Sequence, residues 1–148
     1  MDAAGIGYRV IRHGPVHSLA EAAVARGVAP AAVVKTLVVR RGDDDFVFVL
    51  VPGERAISWP KLRALLGVRR LSLPDAEQAR AATGYERGTI TPFGSTTAWP
   101  VYADERVDGE ITLGAGAHGV AVAVDAGEVL VALDATVADL SDPEPSPR

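Results

Sequence analysis

The residue best suited to chemistry is Lys35, because it is a cation within an apolar segment. It lies in the β-branched run from Val33 to Val39, which predicts a buried strand. An ammonium group in such surroundings costs free energy unless a partner satisfies it. Side chains alternate along a strand, which puts Lys35 on one face with Val33, Leu37 and Val39. Lys35 therefore either snorkels at a sheet edge or lines a cavity that takes an anionic or carbonyl ligand.

A second candidate is the turn from Gly114 to Gly119, which matches the glycine spacing of a dinucleotide-binding loop. That loop requires a helix directly after the glycines, to hold the pyrophosphate at its N-terminus. The residues that follow, Val120 to Val124, alternate as in a strand. The pattern therefore favours a turn between two strands over nucleotide binding, and His118 in this turn is either a pocket residue or exposed to solvent.

The other polar residues are weaker indications of a functional site. His13 and His17 would share a helix face, but Gly14 and Pro15 lie between them, so surface histidines are favoured over a metal site. Six arginines either form a phosphate-binding surface or are scattered solvated charges: Arg9, Arg12, Arg69, Arg70, Arg80 and Arg87. The absence of cysteine excludes disulfides, zinc–thiolate sites and a cysteine nucleophile.

Length and composition indicate one globular domain. The chain has 148 residues, of which 48% are hydrophobic, and a formal net charge of −4. That charge argues against non-specific coating of nucleic acid, although a local basic patch could still meet one RNA end. We find neither a signal-peptide pattern at the N-terminus nor an apolar run of membrane-spanning length, so a cytoplasmic location is expected.

Hydrophobic periodicity and capping residues predict alternating strands and helices. Helices are expected from Ser18 to Gly27, from Ser58 to Gly67, from Ser72 to Gly84 and around Val129 to Leu133. Strands are expected at Tyr8–Arg12, Val33–Arg40, Phe46–Val51, Val101–Ala103, Glu110–Leu113 and Val120–Val124, with short ones at Arg69–Leu71 and near the end. The two strands around the polar turn at 41–45 should form an antiparallel hairpin.

The predicted helices and strands indicate the fold class and the boundaries of the domain. Strands with interspersed helices, several of them antiparallel, indicate an α+β fold. Residues 1–140 are expected to form a single domain, and residues 141–148, rich in proline and charge, a disordered tail. The segment from Gly84 to Pro100 has no helical period, and long irregular loops within compact domains are often functional.

Two segments together resemble a known family. The first is Val34-Lys35-Thr36-Leu37-Val38-Val39, and the second runs from Thr83-Gly84-Tyr85 through Gly88-x-x-x-Pro92 to Gly94. Their order and spacing resemble the YbaK family of free-standing aminoacyl-tRNA deacylases, whose domain is also inserted in bacterial prolyl-tRNA synthetases for editing. The glycine turn at 114–119 falls where the family has one. The resemblance covers the chain from the first strand to about Leu140.

This resemblance implies a fold, an activity and a site. The fold is a mixed, largely antiparallel, barrel-like β-sheet flanked by helices, and the activity is hydrolysis of the ester in a mischarged tRNA. The family's lysine contacts the terminal adenosine region, and its Gly-x-x-x-Pro loop shapes the amino-acid pocket. Carried over, the catalytic residues are Lys35 and Gly88, and the substrate-binding residues are Thr36, Thr83, Gly84, Tyr85, Thr89, Ile90, Pro92, Gly116 and His118. No metal or organic cofactor is expected.

The residue chemistry is compatible with this activity. Hydrolysis of an ester needs stabilisation of a tetrahedral oxyanion, which backbone N–H groups of a glycine-rich loop can supply. The sequence has no evident Ser-His-Asp set, in agreement with the family view that a substrate hydroxyl such as the ribose 2′-OH assists. The expected partners are the aminoacyl-tRNA 3′ acceptor end and, in an alternative, an aminoacyl-tRNA synthetase.

The chain departs from the family pattern at three places. Thr89 replaces the second glycine of a common Gly-Gly pair, Ser95 to Ala98 replace basic residues, and His118 stands where the late turn often has a basic residue. These departures leave open which small amino acid is released: Cys, Ala, Ser or Thr, on tRNA(Pro) or another tRNA. They also keep open a second hypothesis, a non-catalytic module of the same fold that binds a tRNA end or a synthetase.

Overall fold

The computed structural model describes residues 7–14, 18–85, 90–93, 95, 97 and 99–143. Nine strands and four α-helices are present in this part of the chain. The strands are β1 (Tyr8–Arg12), β2 (Val34–Gly42), β3 (Asp45–Pro52), β4 (Arg55–Ile57), β5 (Val101–Asp104), β6 (Glu110–Gly114), β7 (Val120–Asp125), β8 (Thr136–Ala138) and β9 (Ser141–Pro143). The helices are α1 (Leu19–Arg26), α2 (Trp59–Leu66), α3 (Ala76–Thr83) and α4 (Ala126–Ala132), with a 3₁₀ turn at Pro30–Ala32.

The caps of the first two helices confirm their predicted boundaries, and the third helix begins three residues later than predicted. The Ser18 hydroxyl accepts a hydrogen bond from the Glu21 backbone N–H at 3.1 Å and begins α1. The Ser58 hydroxyl likewise accepts a hydrogen bond from the Lys61 backbone N–H and begins α2. Asp75, rather than Ser72, caps α3, and it forms a capping box with Gln78. Glycines in the left-handed region end all three helices, as their positions in the sequence predict.

The centre of the fold is the predicted antiparallel hairpin of β2 and β3, in which Lys35 lies opposite Val51. Strand β3 also pairs in parallel with β5, and β5 with β8, which gives a four-stranded mixed sheet in the order β2-β3-β5-β8. A three-stranded antiparallel sheet, β1-β7-β6, lies beside it. The two are joined at one place by a parallel bridge between Val33 and Thr112.

The fold is α+β with mixed, largely antiparallel sheets, as predicted, and among the described residues the strands form three separate sheets and no closed barrel. Two smaller details of the prediction are wrong. Residues 69–71 form no strand; only Ser72 makes an isolated bridge, with Arg40. The tail from residue 141 is ordered at its start, because Ser141–Pro143 pair as β9 with β4, a strand that the sequence pattern did not predict. Both strands have only three residues, which is too short for hydrophobic periodicity to show.

The β2–β3 hairpin has a hydrophobic cluster on each face, which explains its continuous apolar sequence. Val34, Val38 and Phe48 pack with β5, β6 and β7 on one face. On the other face, Val39 and Val49 pack with Leu62 of α2. Lys35 and Thr36, being adjacent in β2, point to opposite faces. In the part of the chain that the structure describes, no helix has the length and apolar character needed to cross a membrane.

Candidate functional site

A cavity of about 360 Å³ lies beside β2 and contains both residues of the Lys-Thr pair in its wall. Strand β2 forms one side, the start of α3 and the residues before it form another, and Ile90 and Gly114 complete the wall. The lining is mainly apolar, and its polar members are Arg26, Lys35 and Thr36. The described lining residues are Arg26, Val33, Val34, Lys35, Thr36, Leu37, Val38, Leu73, Pro74, Ala76, Ala79, Ile90 and Gly114.

Lys35 is half-buried, and its ammonium group is held by the backbone. The Nζ atom donates a hydrogen bond to the carbonyl oxygen of Arg55, in β4, at 2.5 Å. This bond uses one of the three N–H donors of the ammonium group and fixes its position, and Lys35 is among the residues that line the cavity. Lys35 is thus a positioned cation, and it can bind an anionic or carbonyl group of a ligand in the cavity.

The carbonyl that holds Lys35 belongs to a strand that is itself held by side chains. The Arg55 guanidinium donates from Nε to the Ser141 hydroxyl at 2.7 Å and from Nη2 to the Ser141 carbonyl oxygen at 3.1 Å. The side chain of Ser141 is in turn hydrogen-bonded to the buried carboxylate of Asp104. The ordered start of the tail, which the sequence pattern did not predict, therefore supports the lysine.

Thr83 and Gly84 have structural positions outside the cavity lining that is described. The Thr83 hydroxyl donates to the carbonyl oxygen of Ala79 at 2.8 Å and accepts from the Tyr85 backbone N–H at 3.1 Å. Gly84 ends α3 with a φ angle of 83°. The motif Thr83-Gly84-Tyr85 thus turns the chain sharply at the end of α3 and sets the direction of Tyr85.

Tyr85 and Gly116 come together, although they are 31 positions apart in the sequence. The Tyr85 hydroxyl donates to the Phe93 carbonyl oxygen at 2.5 Å. The Tyr85 ring lies so close to Gly116 that a Cβ atom there would be 2.7 Å from the ring's Cε1. Partial burial raises the pKa of Tyr85, so the phenol stays protonated and continues to donate at neutral pH. This contact joins the β6–β7 turn to the segment around Phe93.

Replacing Gly116 by alanine is expected to lower the free energy of unfolding by about 2–4 kcal/mol, measured by urea denaturation. Two causes add: a φ angle of +85° is strained for alanine, and the new methyl group would collide with Tyr85. Gly109→Ala is the matched control, because Gly109 has a φ angle of +69° with nothing near its Cβ position. A Gly116→Ala variant no less stable than the control would contradict the Tyr85 contact.

The other predicted site residues divide into three groups. Ile90 lines the cavity. Pro92 is buried and His118 is exposed, and neither is among the described lining residues. Gly88 and Thr89 lie outside the described residues, so the predicted oxyanion loop stays a prediction. The glycine turn at 114–119 joins β6 directly to β7, and no helix follows it. The dinucleotide hypothesis is therefore wrong for this turn.

Sequence reasoning missed Arg26, which is half-buried in the cavity wall. It is the last residue of α1, where a basic side chain is ordinarily explained by the helix dipole. Its Nη1 atom donates to the Thr112 hydroxyl, in β6, at 3.1 Å. In the sequence, the only sign of this position was that Arg26 directly precedes Gly27, the glycine that ends α1.

Comparison with known proteins identifies the family of this chain. Residues 13–140 match the family of the aminoacyl-tRNA editing domain. A proline–tRNA ligase of Heliobacterium modesticaldum is 38% identical over 91 residues, which are 62% of this chain and 16% of the ligase. One of Levilactobacillus brevis is 33% identical over 102 residues, 69% of this chain and 18% of the ligase. The chain thus spans less than a fifth of the ligases that it matches.

A solved structure is similar over nearly the whole chain. It is the crystal structure of a candidate trans-editing enzyme for prolyl tRNA synthetase, with a TM-score of 0.87 and 28% sequence identity. The similarity covers 95% of this chain and 91% of that one. The family match extends from His13, just after β1, to Leu140, just before β9, and includes the cavity and Lys35. The chain therefore belongs to the aminoacyl-tRNA editing domain family.

Proposed function

We propose that this protein is a trans-acting aminoacyl-tRNA deacylase, which hydrolyses the ester of a mischarged tRNA in the cytoplasm. The observation that carries the proposal is the position of Lys35, a cation fixed in the wall of a mainly apolar cavity, within a chain of the editing-domain family. An aminoacylated 3′ end has the matching chemistry. It combines a small side chain, an ester carbonyl and a polyanionic backbone.

In the proposed reaction, water attacks the ester carbonyl and a tetrahedral oxyanion forms. Its collapse breaks the bond to the ribose 3′ oxygen and gives the free amino acid and a tRNA with its 3′-OH restored. Lys35 contributes positive potential beside the reacting end and holds it in place. Backbone N–H groups at Gly88 would receive the oxyanion. The ribose 2′-OH orients the water and relays its proton.

The size and character of the cavity favour a small amino acid on tRNA(Pro) or a related tRNA. A volume of about 360 Å³ is near the lower end of ligand pockets. Its described apolar wall includes Val34, Leu73 and Ile90, and it suits a short side chain. A synthetase discriminates between such side chains by only about 1–3 kcal/mol for each methylene, which is why a separate editing site is useful.

A deacylation panel tests the proposal. The purified protein is mixed with tRNA(Pro) and other tRNAs charged with Ala, Cys, Ser, Thr or Pro, and the loss of each ester is followed over time. We expect one small amino acid to be released selectively and proline to be retained on tRNA(Pro). Tight binding of the same tRNAs without any release would instead support a non-catalytic module that binds a tRNA end.

The proposed role of the substrate hydroxyl has a separate test. A tRNA that ends in 2′-deoxyadenosine and carries the released amino acid is expected to be hydrolysed at least about 100-fold more slowly, because water loses its orienting group. Binding, measured by filter retention, should change little. Equal rates for the deoxy and ribose substrates would show that the 2′-OH takes no part.

A further inference from the structure

Arg26 carries a charge that no described carboxylate neutralises. Its guanidinium is half-buried in the cavity wall, and its hydrogen bond goes to a neutral hydroxyl, that of Thr112. The Nε atom is shielded from solvent and has no hydrogen-bond acceptor within the described part of the chain. Burial lowers the pKa of Arg26, as expected for a cation that loses water without gaining an anion.

Thr36 provides a second polar group without a partner at the same cavity. Its Oγ1 atom is shielded from solvent and makes no hydrogen bond in the described structure. Thr36 points to the face of β2 opposite Lys35, and it lies between Val34 and Val38 on that face. Buried polar groups normally find a partner, because leaving one unsatisfied costs free energy. Both residues line the same cavity, so a side-chain rotation that turns these atoms towards it lets a ligand supply the partner that each lacks.

We infer that Arg26 and Thr36 form an oxyanion subsite in this cavity, which takes one phosphate or carboxylate group of the substrate. The inference rests on the proposed function and names the part of the substrate that the cavity recognises. A guanidinium offers two parallel N–H groups from Nε and one Nη, which fit the two oxygens of a phosphate or carboxylate. The threonine hydroxyl can donate to the same group.

The apolar surroundings of Arg26 and Thr36 strengthen their interaction with an oxyanion. Val34, Val38 and Ile90 line the cavity near the two polar residues and reduce its contact with water. A charge-assisted hydrogen bond is stronger in such surroundings than in solvent. In an aminoacyl-tRNA, the oxyanion has two sources: the phosphate on the 5′ side of the terminal adenosine, or the carboxylate of an acidic amino-acid side chain.

The test is isothermal titration calorimetry with adenosine that carries alanine in a 3′ amide linkage, which binds without being hydrolysed. Three probes are compared: this compound, its 5′-phosphate, and the compound with aspartate in place of alanine. We expect one added oxyanion to strengthen wild-type binding about tenfold or more. A phosphate source predicts the gain for the 5′-phosphate, and a carboxylate source predicts it for the aspartyl compound.

The gain in affinity from the added oxyanion should depend on Arg26 and Thr36. It is expected to disappear in Arg26→Gln, to shrink in Thr36→Val, and to remain in Arg9→Gln. Arg9 is the matched control, because it is an exposed arginine on β1. Thermal unfolding separates a binding role from a structural one. The loss of an uncompensated buried charge should leave the stability of Arg26→Gln unchanged or raise it.

The outcomes also distinguish this inference from the proposed function. Absence of any Arg26-dependent gain, in a protein that releases an amino acid from tRNA, would overturn the subsite and leave the deacylase intact. An Arg26-dependent gain in a protein that releases nothing would establish the subsite and contradict the deacylase. A gain that persists in Arg26→Gln would assign the oxyanion to another residue and overturn the inference.

Discussion

Replacing Lys35 by alanine is expected to reduce the rate of deacylation at least about 100-fold, because the reacting end loses the cation that holds it in place. The ammonium group is fixed by the Arg55 carbonyl oxygen, and Arg26, the other cation among the described lining residues, is held at Thr112 instead. The rate is measured under single-turnover conditions with the tRNA that the panel identifies. Lys35→Met should show a similar loss, because it keeps the apolar stem but removes the charge.

The chain offers a matched control in its only other lysine. Lys61, in α2, forms ion pairs with Asp139 and Asp142 and donates to the Ser141 carbonyl oxygen at 3.1 Å, and it is not among the described lining residues of the cavity. Lys61→Ala removes the same charge and should leave the rate unchanged within about twofold. Circular dichroism should show that both alanine variants are folded. A fully active Lys35→Ala variant would remove Lys35 from the mechanism.

Replacing Asp104 by alanine is expected to cost about 3–5 kcal/mol of stability, the largest effect on folding that we predict. The Asp104 side chain is fully buried at the end of β5. Its oxygens accept hydrogen bonds from the backbone N–H groups of Leu140 at 3.2 Å and Arg106 at 3.1 Å. Without the carboxylate these donors lose their partner. Asp108→Asn, at an exposed carboxylate nearby, is the control and should change stability by less than about 0.5 kcal/mol.

The same carboxylate should make stability depend on pH. Burial raises the pKa of Asp104, but hydrogen bonds from Ser141, Leu140 and Arg106 outweigh burial and hold the pKa below its ordinary value. Its contribution is therefore complete above about pH 4, the unfolded value, and is lost as the pH falls through the folded pKa. The stability difference between wild type and Asp104→Asn should be largest at neutral pH and narrow below about pH 4. A difference that does not vary with pH would contradict this account.

Local patterns in the sequence predicted most of the fold, because the ends of its helices and the turn of the β2–β3 hairpin depend on residues that are close in sequence. Ser18 and Gly27 determine the ends of α1 by hydrogen bonds within the helix and its caps. The Asp-rich turn at 43–45 connects two apolar runs into the hairpin. Strands β4 and β9 are different, because three-residue strands are stabilised by contacts distant in sequence, such as the bond from Arg55 to Ser141.

Part of the cavity lining was predictable, where residue type alone was unusual. A lysine within a valine-rich strand costs free energy, and this cost pointed to Lys35 before its surroundings were known. Arg26 gave no such signal, because an arginine at a helix end is common and its burial depends on Thr112, in β6. Thr83 stays a prediction as a substrate-binding residue; in the structure its hydroxyl bonds to the end of α3 and to the Tyr85 backbone N–H.

The most direct test of the central claim follows one ester over time in a single assay. A tRNA(Pro) carrying a small amino acid is incubated with wild-type protein, Lys35→Ala, Lys61→Ala or buffer, beside the same tRNA carrying proline. The account predicts that wild type and Lys61→Ala release the small amino acid well above the buffer rate, that Lys35→Ala does not, and that prolyl-tRNA persists. Release no faster than in buffer from every mischarged tRNA of the panel, by folded wild-type protein, would contradict it.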